Sequence, residues 1–545
     1  MPRGDVLSLQ VPPLDARRRR IEAEPLPANI AAILDQAAAE APERVAWNFF
    51  ESGETITYSA IGRRVNRLAN GMARAGIGKS THVAVMLPNI AAFPLTWLAL
   101  ARLGAVMVPL NIAYTAREMR YVVENADAEH LITHHECLAT LRELDAEGRH
   151  FSTRHVFVVG PAPDDFLSWD GLCEGQSDRF EAAGEVALDD LMNIQYTSGT
   201  TGFPKGCMLS HRYWATLGKV NAFRDGRYFT RILAATPFFY MDPQWLLLMA
   251  FYQRGTLYVA RRQSSSRFMS WLREHRIEFC LLPEIVLKQP PDPRDRHNAI
   301  IRVNVYGLHK QVHAELEDRF DLVAREAFGM TEIGSGMFMP IEATDMIGSG
   351  SCGKPSPFRE ARIVNDAGKR VDAGEIGELQ IKGPGMLQGY YKNAPATEAA
   401  FQDGWFRTGD LFRQDERGYF YIVGRIKDMI RRAGENIAAR EVEAVLRALP
   451  EVVEAAAVPV PDPMRGEEVK AYIVLEPSVR PSDMPPDRII AHCEANLARF
   501  KVPRFIAYSA SLPKTPSGKI AKNTLLKDIA DPRKDSFDRV EGKWL

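Results

Sequence analysis

Residues 191–206 read Leu191-Met192-Asn193-Ile194-Gln195-Tyr196-Thr197-Ser198-Gly199-Thr200-Thr201-Gly202-Phe203-Pro204-Lys205-Gly206. A strand-like run, 191–196, passes straight into a loop with three glycines, four hydroxyl residues and one lysine in ten positions. Glycines let backbone N–H groups turn toward an anion, hydroxyls add donors and Lys205 adds positive charge, so the loop describes a phosphate cradle. It is not a P-loop, because two residues separate Gly202 from the lysine and neither Ser nor Thr follows it. The competing reading is a flexible surface loop.

The same alternation of elements extends outward from this stretch. Residues 57–76 predict a helix opened by Ser59, with Ile61, Val65, Leu68 and Met72 on one face and Gly76 as its stop. A strand-like run follows at 83–87, and the helix-then-strand order recurs at 117–133 and 268–282. Strands alternating with crossover helices imply parallel sheets buried on both faces. Between 348 and 390 short β-like runs are punctuated by glycine, with a turn at Asn365-Asp366-Ala367-Gly368, which predicts a separate antiparallel subdomain. After about 428 a smaller α+β pattern begins: a helix at 439–449, strands near 455–460 and 469–475, and a helix at 487–500.

Composition narrows the function. At roughly 150 residues per domain, 545 residues imply several folding units. Lys and Arg (68) balance Asp and Glu (69), so no global field gathers polyanions and a nucleic-acid partner is not expected. The six cysteines form no Cys-x-x-Cys pair, which fits a reducing cytoplasm rather than a zinc site or a disulfide framework. The beginning of the chain carries the basic run Arg17–Arg20, read as solvated, in place of an apolar signal core. The most apolar long stretch, 93–114, contains Arg102 and Gly104, so no integral membrane segment is expected.

Other clusters sort by context. The run 348–353 matches G-x-G-x-x-G but leads into Lys354-Pro355, so it reads as a structural turn. His130, His134, His135 and Glu136 surround a strand-like Leu131-Ile132-Thr133 and read as a surface cluster, not a metal site. In Phe328-Gly329-Met330-Thr331-Glu332 the carboxylate is suited to hold Mg²⁺ against phosphate oxygens. In Thr408-Gly409-Asp410 it is suited to accept hydrogen bonds from ribose hydroxyls. Gly424-Arg425-Ile426-Lys427-Asp428 follows. Lys519, in Pro513-Lys514-Thr515-Pro516-Ser517-Gly518-Lys519-Ile520, projects from a glycine turn and, read alone, is only a solvated lysine.

In combination and order, TSGTTGFPKG, FGMTE, GWFRTGD, GRIKDMIRRAGENI and PKTPSGKI resemble the adenylate-forming enzymes, a superfamily of acyl-CoA synthetases, aryl-CoA ligases, nonribosomal peptide adenylation domains and luciferases. The resemblance spans about 30–526, is nearest to the acyl-CoA ligases, and is supported by LPN at 87–89 and VPLN at 108–111. It implies an α/β fold with a large N-terminal domain, 1–426, made of two parallel-sheet subdomains and a small β-barrel-like subdomain at about 345–426. A smaller mobile α+β C-terminal domain, 427–545, is implied to swing about a hinge at Lys427. The implied activity is ATP-dependent, AMP-forming acid–thiol ligation. A carboxylic acid attacks the α-phosphate of ATP, and coenzyme A then takes the acyl group from the adenylate. The alternatives are loading of a carrier-protein pantetheine and a non-catalytic adenylate-binding protein. ATP, Mg²⁺ and coenzyme A are the implied cofactors, and a homodimer is an expectation that no residue pattern here supports.

Residue by residue, the resemblance makes Thr197, Ser198, Gly199, Thr200, Thr201, Gly202 and Lys205 the clamp on the β- and γ-phosphates. Thr331 and Glu332 become α-phosphate and magnesium contacts. Phe328, where tyrosine is usual, stacks on adenine beside Gly329. Asp410, assisted by Arg425, holds the ribose, and Lys519 is the catalytic lysine of the first half-reaction. Gly434 leaves room for the pantetheine arm. The acid pocket is expected at Tyr240, where most relatives have histidine, with Met241, Trp245, Tyr306, Gly307, Gly329, Met330 and Ile333. Its aromatic wall suits an aryl or modest acyl acid, and with Asp242 equally a quaternary ammonium such as a carnitine-like acid.

Overall fold

The computed structural model describes residues 3–545 apart from 9, 147, 149, 198–203, 309, 433–434, 516–517, 528 and 530, and apart from the side chains of 435 and 436. Two compact units emerge. The first holds the chain up to Thr197 with Pro204–Glu360 and Ile381–Phe406, and the second holds Ala361–Gln380 and Arg407–Leu545.

The helix Tyr58–Arg74 shows how local sequence sets the elements. Ile61, Val65, Leu68 and Met72 recur every three to four residues and are all buried. The cap is Thr57 rather than Ser59, because the Thr57 hydroxyl accepts the Ala60 N–H at 3.3 Å. At the other end Gly76 takes φ +89° and the Ile77 N–H returns to the Met72 carbonyl at 2.9 Å, closing the last turn.

The first unit contains two large sheets, parallel inside and antiparallel at their edges. In one, Leu167–Ser168, Val156–Val159, His130–His134, His82–Met86, Val106–Pro109 and Leu191–Thr197 run parallel in that order. Lys205–Ser210 then closes the edge as an antiparallel strand. In the other, Ala324–Met330, Arg302–Val305, Phe279–Leu281, Arg231–Ala234, Thr256–Val259 and Val45–Phe49 run parallel. Glu54–Thr57 flanks that run at one end, and Gly334–Phe338 with Lys354–Pro355 at the other, all antiparallel. Both sheets are parallel in their interiors, as expected, and turn antiparallel at their edges, where the chain reverses between Thr197 and Lys205 and between Met330 and Gly334 without a crossover helix.

Three helices, Ala92–Leu103, His211–Phe223 and Met241–Gln253, are buried nearly all round. Polar residues tie them to the first sheet. The Trp97 indole N–H donates to Asn193 Oδ1 at 2.9 Å, and Asn193 Nδ2 donates to Gln244 Oε1 at 3.1 Å. The most apolar stretch is thus the core helix Ala92–Leu103 followed by the buried strand Val106–Pro109, and no helix among the described residues is long and apolar enough to cross a membrane.

The second unit carries a sheet built on Glu360–Val364, Gly377–Lys382, Trp405–Gln414 and Phe420–Arg425. A second sheet is built on the long hairpin Val452–Asp462 and Gly466–Leu475. The helices Ala439–Arg447 and Pro486–Asn496 bury Val442, Leu446, Ile489 and Cys493 in that sheet's core. The helix predicted to reach 500 ends at Asn496, and a short turn, Arg499–Lys501, follows.

Two surface expectations are corrected. Arg17 is buried and its guanidinium meets Glu342 at 2.8 Å. His130 and His134 are buried too: His130 stacks on His155 at a centroid distance of 4.4 Å, and His134 lies tilted against His135 at 4.2 Å. Glu136 beside them is paired with Arg261 at 3.2 Å.

Fully buried His211 accepts the Ile30 N–H on Nδ1 at 3.4 Å, and burial pulls its imidazole down from 6.5 to about 4, against the opposing charge of Asp190. The unfolded chain takes up this proton below pH 6.5 and the folded chain does not, so stability present above that pH is lost as it falls toward 4. Urea unfolding at pH 7 and pH 5 is expected to differ by about 2 kcal/mol from this group, and His211→Asn is expected to flatten the slope by about one proton.

Candidate functional site

The glycine-and-hydroxyl loop joins the two antiparallel edge strands, with Thr197 paired opposite Lys205. Ser198, Gly199, Thr200, Thr201 and Gly202 lie outside the described residues. The loop's exit is fixed by its neighbours: the Tyr121 hydroxyl donates to the Pro204 carbonyl at 2.9 Å, and the Tyr391 N–H to the Gly206 carbonyl at 2.8 Å. Lys205 places its ammonium 3.9 Å from the centroid of the Tyr390 ring.

Phe328, Gly329 and Met330 end the strand Ala324–Met330, and Thr331 and Glu332 form the turn into Gly334–Phe338. Glycine is required at 329, where a side chain would meet the Gly334 carbonyl oxygen at 2.6 Å. Glu332 is 9% exposed and its Oε1 accepts the Tyr390 hydroxyl at 3.0 Å, while Oε2 accepts from no described residue. A nearly buried carboxylate with one oxygen tethered and one open fits a hard divalent cation. Burial, reinforced by the Glu332 charge, pushes the Tyr390 phenol far up, so it remains a donor. The Thr331 hydroxyl reaches the Met241 sulfur at 3.8 Å, which joins this turn to the expected acid pocket.

In the second unit Asp410, on Trp405–Gln414, stands directly across from Arg425 on Phe420–Arg425. Asp410 is 1% exposed; Arg425 Nε approaches its Oδ1 to 2.9 Å, and among the described residues no donor reaches its Oδ2. A buried carboxylate held at one oxygen and open at the other fits a sugar hydroxyl such as those of ribose. Burial raises its carboxyl, against the positive charges of Arg425, Arg440 and Lys519. Lys519 is exposed on a turn closed by the Thr515 N–H to the Lys519 carbonyl at 2.7 Å, with Gly518 at φ +79°. Lys427 is exposed in the turn Ile426–Asp428 between two strands, and Gly434 lies outside the described residues.

The acid-pocket candidates divide into two groups. Tyr240 is half-buried at the start of Met241–Gln253, and its hydroxyl accepts from Asn111 Nδ2 at 3.4 Å. The segment leading to it is held by Asn89, whose Oδ1 accepts the Phe238 N–H at 2.8 Å, and by Gln195, whose Nε2 donates to the Phe239 carbonyl at 2.7 Å. Tyr306 is 49% exposed, with its hydroxyl end 3.5 Å from Asn304 Nδ2 and within the fields of Asp242 and Arg224. Gly307, at φ +69°, donates its N–H to Glu326 Oε1 at 2.6 Å. Trp245 and Ile333, in contrast, are buried in the core, although the Trp245 indole N–H donates to Asp242 Oδ1 at 3.1 Å.

Tyr390, Glu326 and Arg224 escaped the sequence reading. Only the position of Tyr390 carries any signal, a tyrosine pair directly after Gly389.

Comparison with known proteins agrees with this arrangement. The profile of the family described as "AMP-binding enzyme" matches residues 34–391, and that of its C-terminal domain matches 441–519. The crotonobetaine/carnitine–CoA ligase of Salmonella agona is 32% identical over 497 residues, covering 87% of this chain and 95% of that protein. The o-succinylbenzoate CoA synthetase of Bacillus subtilis, solved with its acyl-adenylate intermediate, superposes with a TM-score of 0.79 at 25% identity, covering 92% of this chain and 99% of that one. ATP-bound MatB from Rhodopseudomonas palustris gives 0.81 at 27%, again covering 92% of this chain and 99% of that one. With a matched profile over most of its length and both hairpin motifs at sheet edges, the chain belongs to the AMP-binding enzyme family.

Proposed function

We propose that the chain is an ATP-dependent, AMP-forming acid–thiol ligase that makes an acyl-coenzyme A. The observation that carries this reading is the buried Asp410 carboxylate, held by Arg425 at one oxygen and acted on by the charge of Lys519, in a chain whose relatives are named CoA ligases. A carboxylate oxygen of the acid attacks the α-phosphorus of ATP, the bond to the β-phosphate oxygen breaks, and pyrophosphate leaves. The coenzyme A thiol then loses its proton, its sulfur attacks the acyl carbon, and the bond to AMP breaks.

In this reading the loop from Thr197 to Gly206, with Lys205, grips the β- and γ-phosphates, and Thr331 contacts the α-phosphate. Glu332 holds Mg²⁺, which supplies positive charge against the phosphate oxygens when bound. Phe328 stacks on adenine and Asp410 takes the ribose diol. The Lys519 ammonium neutralises charge growing between the acid and the α-phosphate. The C-terminal part, 427–545, then turns about Lys427 to admit the thiol past Gly434. A cytoplasmic homodimer completes the reading; the free state of all six cysteines supports the compartment.

For the acid, we infer a far end bearing fixed positive charge. Trp245 pins Asp242 at 3.1 Å, the Asp242 charge reaches the Tyr306 phenol, and the Tyr240 and Tyr306 rings offer faces to a quaternary ammonium.

Pyrophosphate exchange over a panel of acids tests the first half-reaction, and thioester formation with free coenzyme A, against an isolated carrier protein, tests the second. No exchange with any acid would leave only a nucleotide-binding protein. Lys519→Ala is expected to cut adenylate formation by about two orders of magnitude while sparing thioester formation from supplied acyl-adenylate; equal loss of both refutes its role. Lys427→Pro is expected to do the reverse, and unchanged overall turnover discards the hinge. A trimethylammonium acid is expected to exceed its tert-butyl isostere in kcat/KM by about tenfold or more, with Asp242→Asn erasing the difference. Preference for the neutral isostere or an aryl acid overturns the charge assignment.

A further inference from the structure

One side chain touches both halves of the candidate phosphate site. The segment 387–391 runs beside the edge strand Lys205–Ser210: the Gln388 N–H donates to the Met208 carbonyl, the Met208 N–H to the Gly389 carbonyl, both at 2.9 Å, and the Tyr391 N–H to Gly206 at 2.8 Å. Its beginning is tied to the other motif, where the Leu387 N–H donates to the Glu332 carbonyl at 2.8 Å. The backbone therefore fixes Tyr390 from both sides, and its side chain is 5% exposed. The ring lies under the Lys205 ammonium at 3.9 Å, and the hydroxyl donates to Glu332 Oε1 at 3.0 Å.

Without this ring, a lysine and a carboxylate facing the same small site would attract each other directly. In partly buried surroundings such an ion pair is strong, and each nucleotide would have to break it before the ammonium could meet phosphate or the carboxylate could meet metal. A ring face holds an ammonium more weakly than a buried carboxylate does, which keeps the lysine in place and available. Among the described residues Lys205 makes no ion pair, and the Glu332 carboxylate accepts only from Tyr390.

We propose that Tyr390 is a positioning residue for adenylate formation: its ring separates Lys205 from Glu332, and its hydroxyl fixes one Glu332 oxygen so that the other stays turned toward the metal–nucleotide. The proposal rests on the ligase reading of this site and adds to it a residue that touches neither acid nor thiol.

The test uses the purified full-length protein with Mn²⁺ in place of Mg²⁺ and α,β-methylene-ATP as an unreactive nucleotide. Bound metal is read from the loss of the free Mn²⁺ resonance signal, and AMP affinity without metal is measured alongside. Tyr390→Phe keeps the ring and removes the hydroxyl; Tyr390→Leu removes both. Tyr390→Phe is expected to weaken Mn²⁺ binding by about 10-fold or more while AMP affinity stays within about 2-fold. Tyr390→Leu is expected to weaken metal-free binding of the triphosphate analogue as well. In the background of Glu332→Gln, Tyr390→Phe is expected to have little further effect on metal binding. If Tyr390→Phe binds Mn²⁺ like the wild type, or if both variants lose AMP and metal affinity in equal proportion with a lowered melting temperature, the residue is merely structural and the proposal fails. If the wild-type protein binds no Mn²⁺–nucleotide at all, the ligase reading itself fails first.

Discussion

The edge strand Lys205–Ser210 is the constraint on which the rest of the site depends. On one side it pairs with Leu191–Thr197, which sets the span of the glycine-and-hydroxyl loop. On its other side it hydrogen-bonds to 387–391, whose first residue is bonded to the Glu332 carbonyl. An exposed edge strand is ordinarily a liability because it offers unpaired donors and acceptors to other chains. Here the segment 387–391 occupies those groups and, in doing so, brings a tyrosine between a lysine and a glutamate that belong to different motifs and different sheets. A shift of one residue in either pairing would turn Lys205 to the opposite face of its strand.

Asp410 obeys the same logic with a different cost. A carboxylate buried to 1% is unfavourable by several kcal/mol unless opposite charge offsets it. The offset comes from the cross-strand Arg425 and, at longer range, from Arg440 and Lys519, while burial still raises the carboxyl. The fold thus holds a desolvated acceptor in a position set by its own strand pair, and under the proposed ribose role the local cost in stability would be returned as orientation on binding.

The parts legible in the sequence are those where the backbone does the work. TSGTTGFPKG, FGMTE and the TGD of the strand Trp405–Gln414 announce themselves by their glycines, and at Gly329 the close approach of Gly334 leaves few substitutes. The helix Tyr58–Arg74 was readable from spacing, and only its cap moved by two residues. What stayed hidden depends on partners distant in sequence. Arg17 reads as one of four solvated arginines until Glu342 is placed beside it, and Tyr390 draws no notice until Glu332, 58 residues earlier, receives its hydroxyl. The parallel sheets were legible in their interiors, where helices alternate with strands, and not at their edges, where two hairpins reverse direction.

That division has a consequence for how such a chain changes specificity. The segments proposed for the nucleotide are hairpin backbone and cross-strand pairs in fixed register, so most substitutions there disturb pairing as well as contact. Those proposed for the acid are single side chains on separate elements: Tyr240 at a helix start, Tyr306 after a strand end, Asp242 held by one indole. Asn89 and Gln195 hold the backbone beneath Tyr240 through its neighbours' amides and carbonyls, not through the ring. The ring is therefore free to differ without loosening its support, and a change of side chain at 240 leaves the segment on its path. With the acid placed there as proposed, acid preference is the property this architecture leaves most open to variation, and adenylate formation the one it holds fixed.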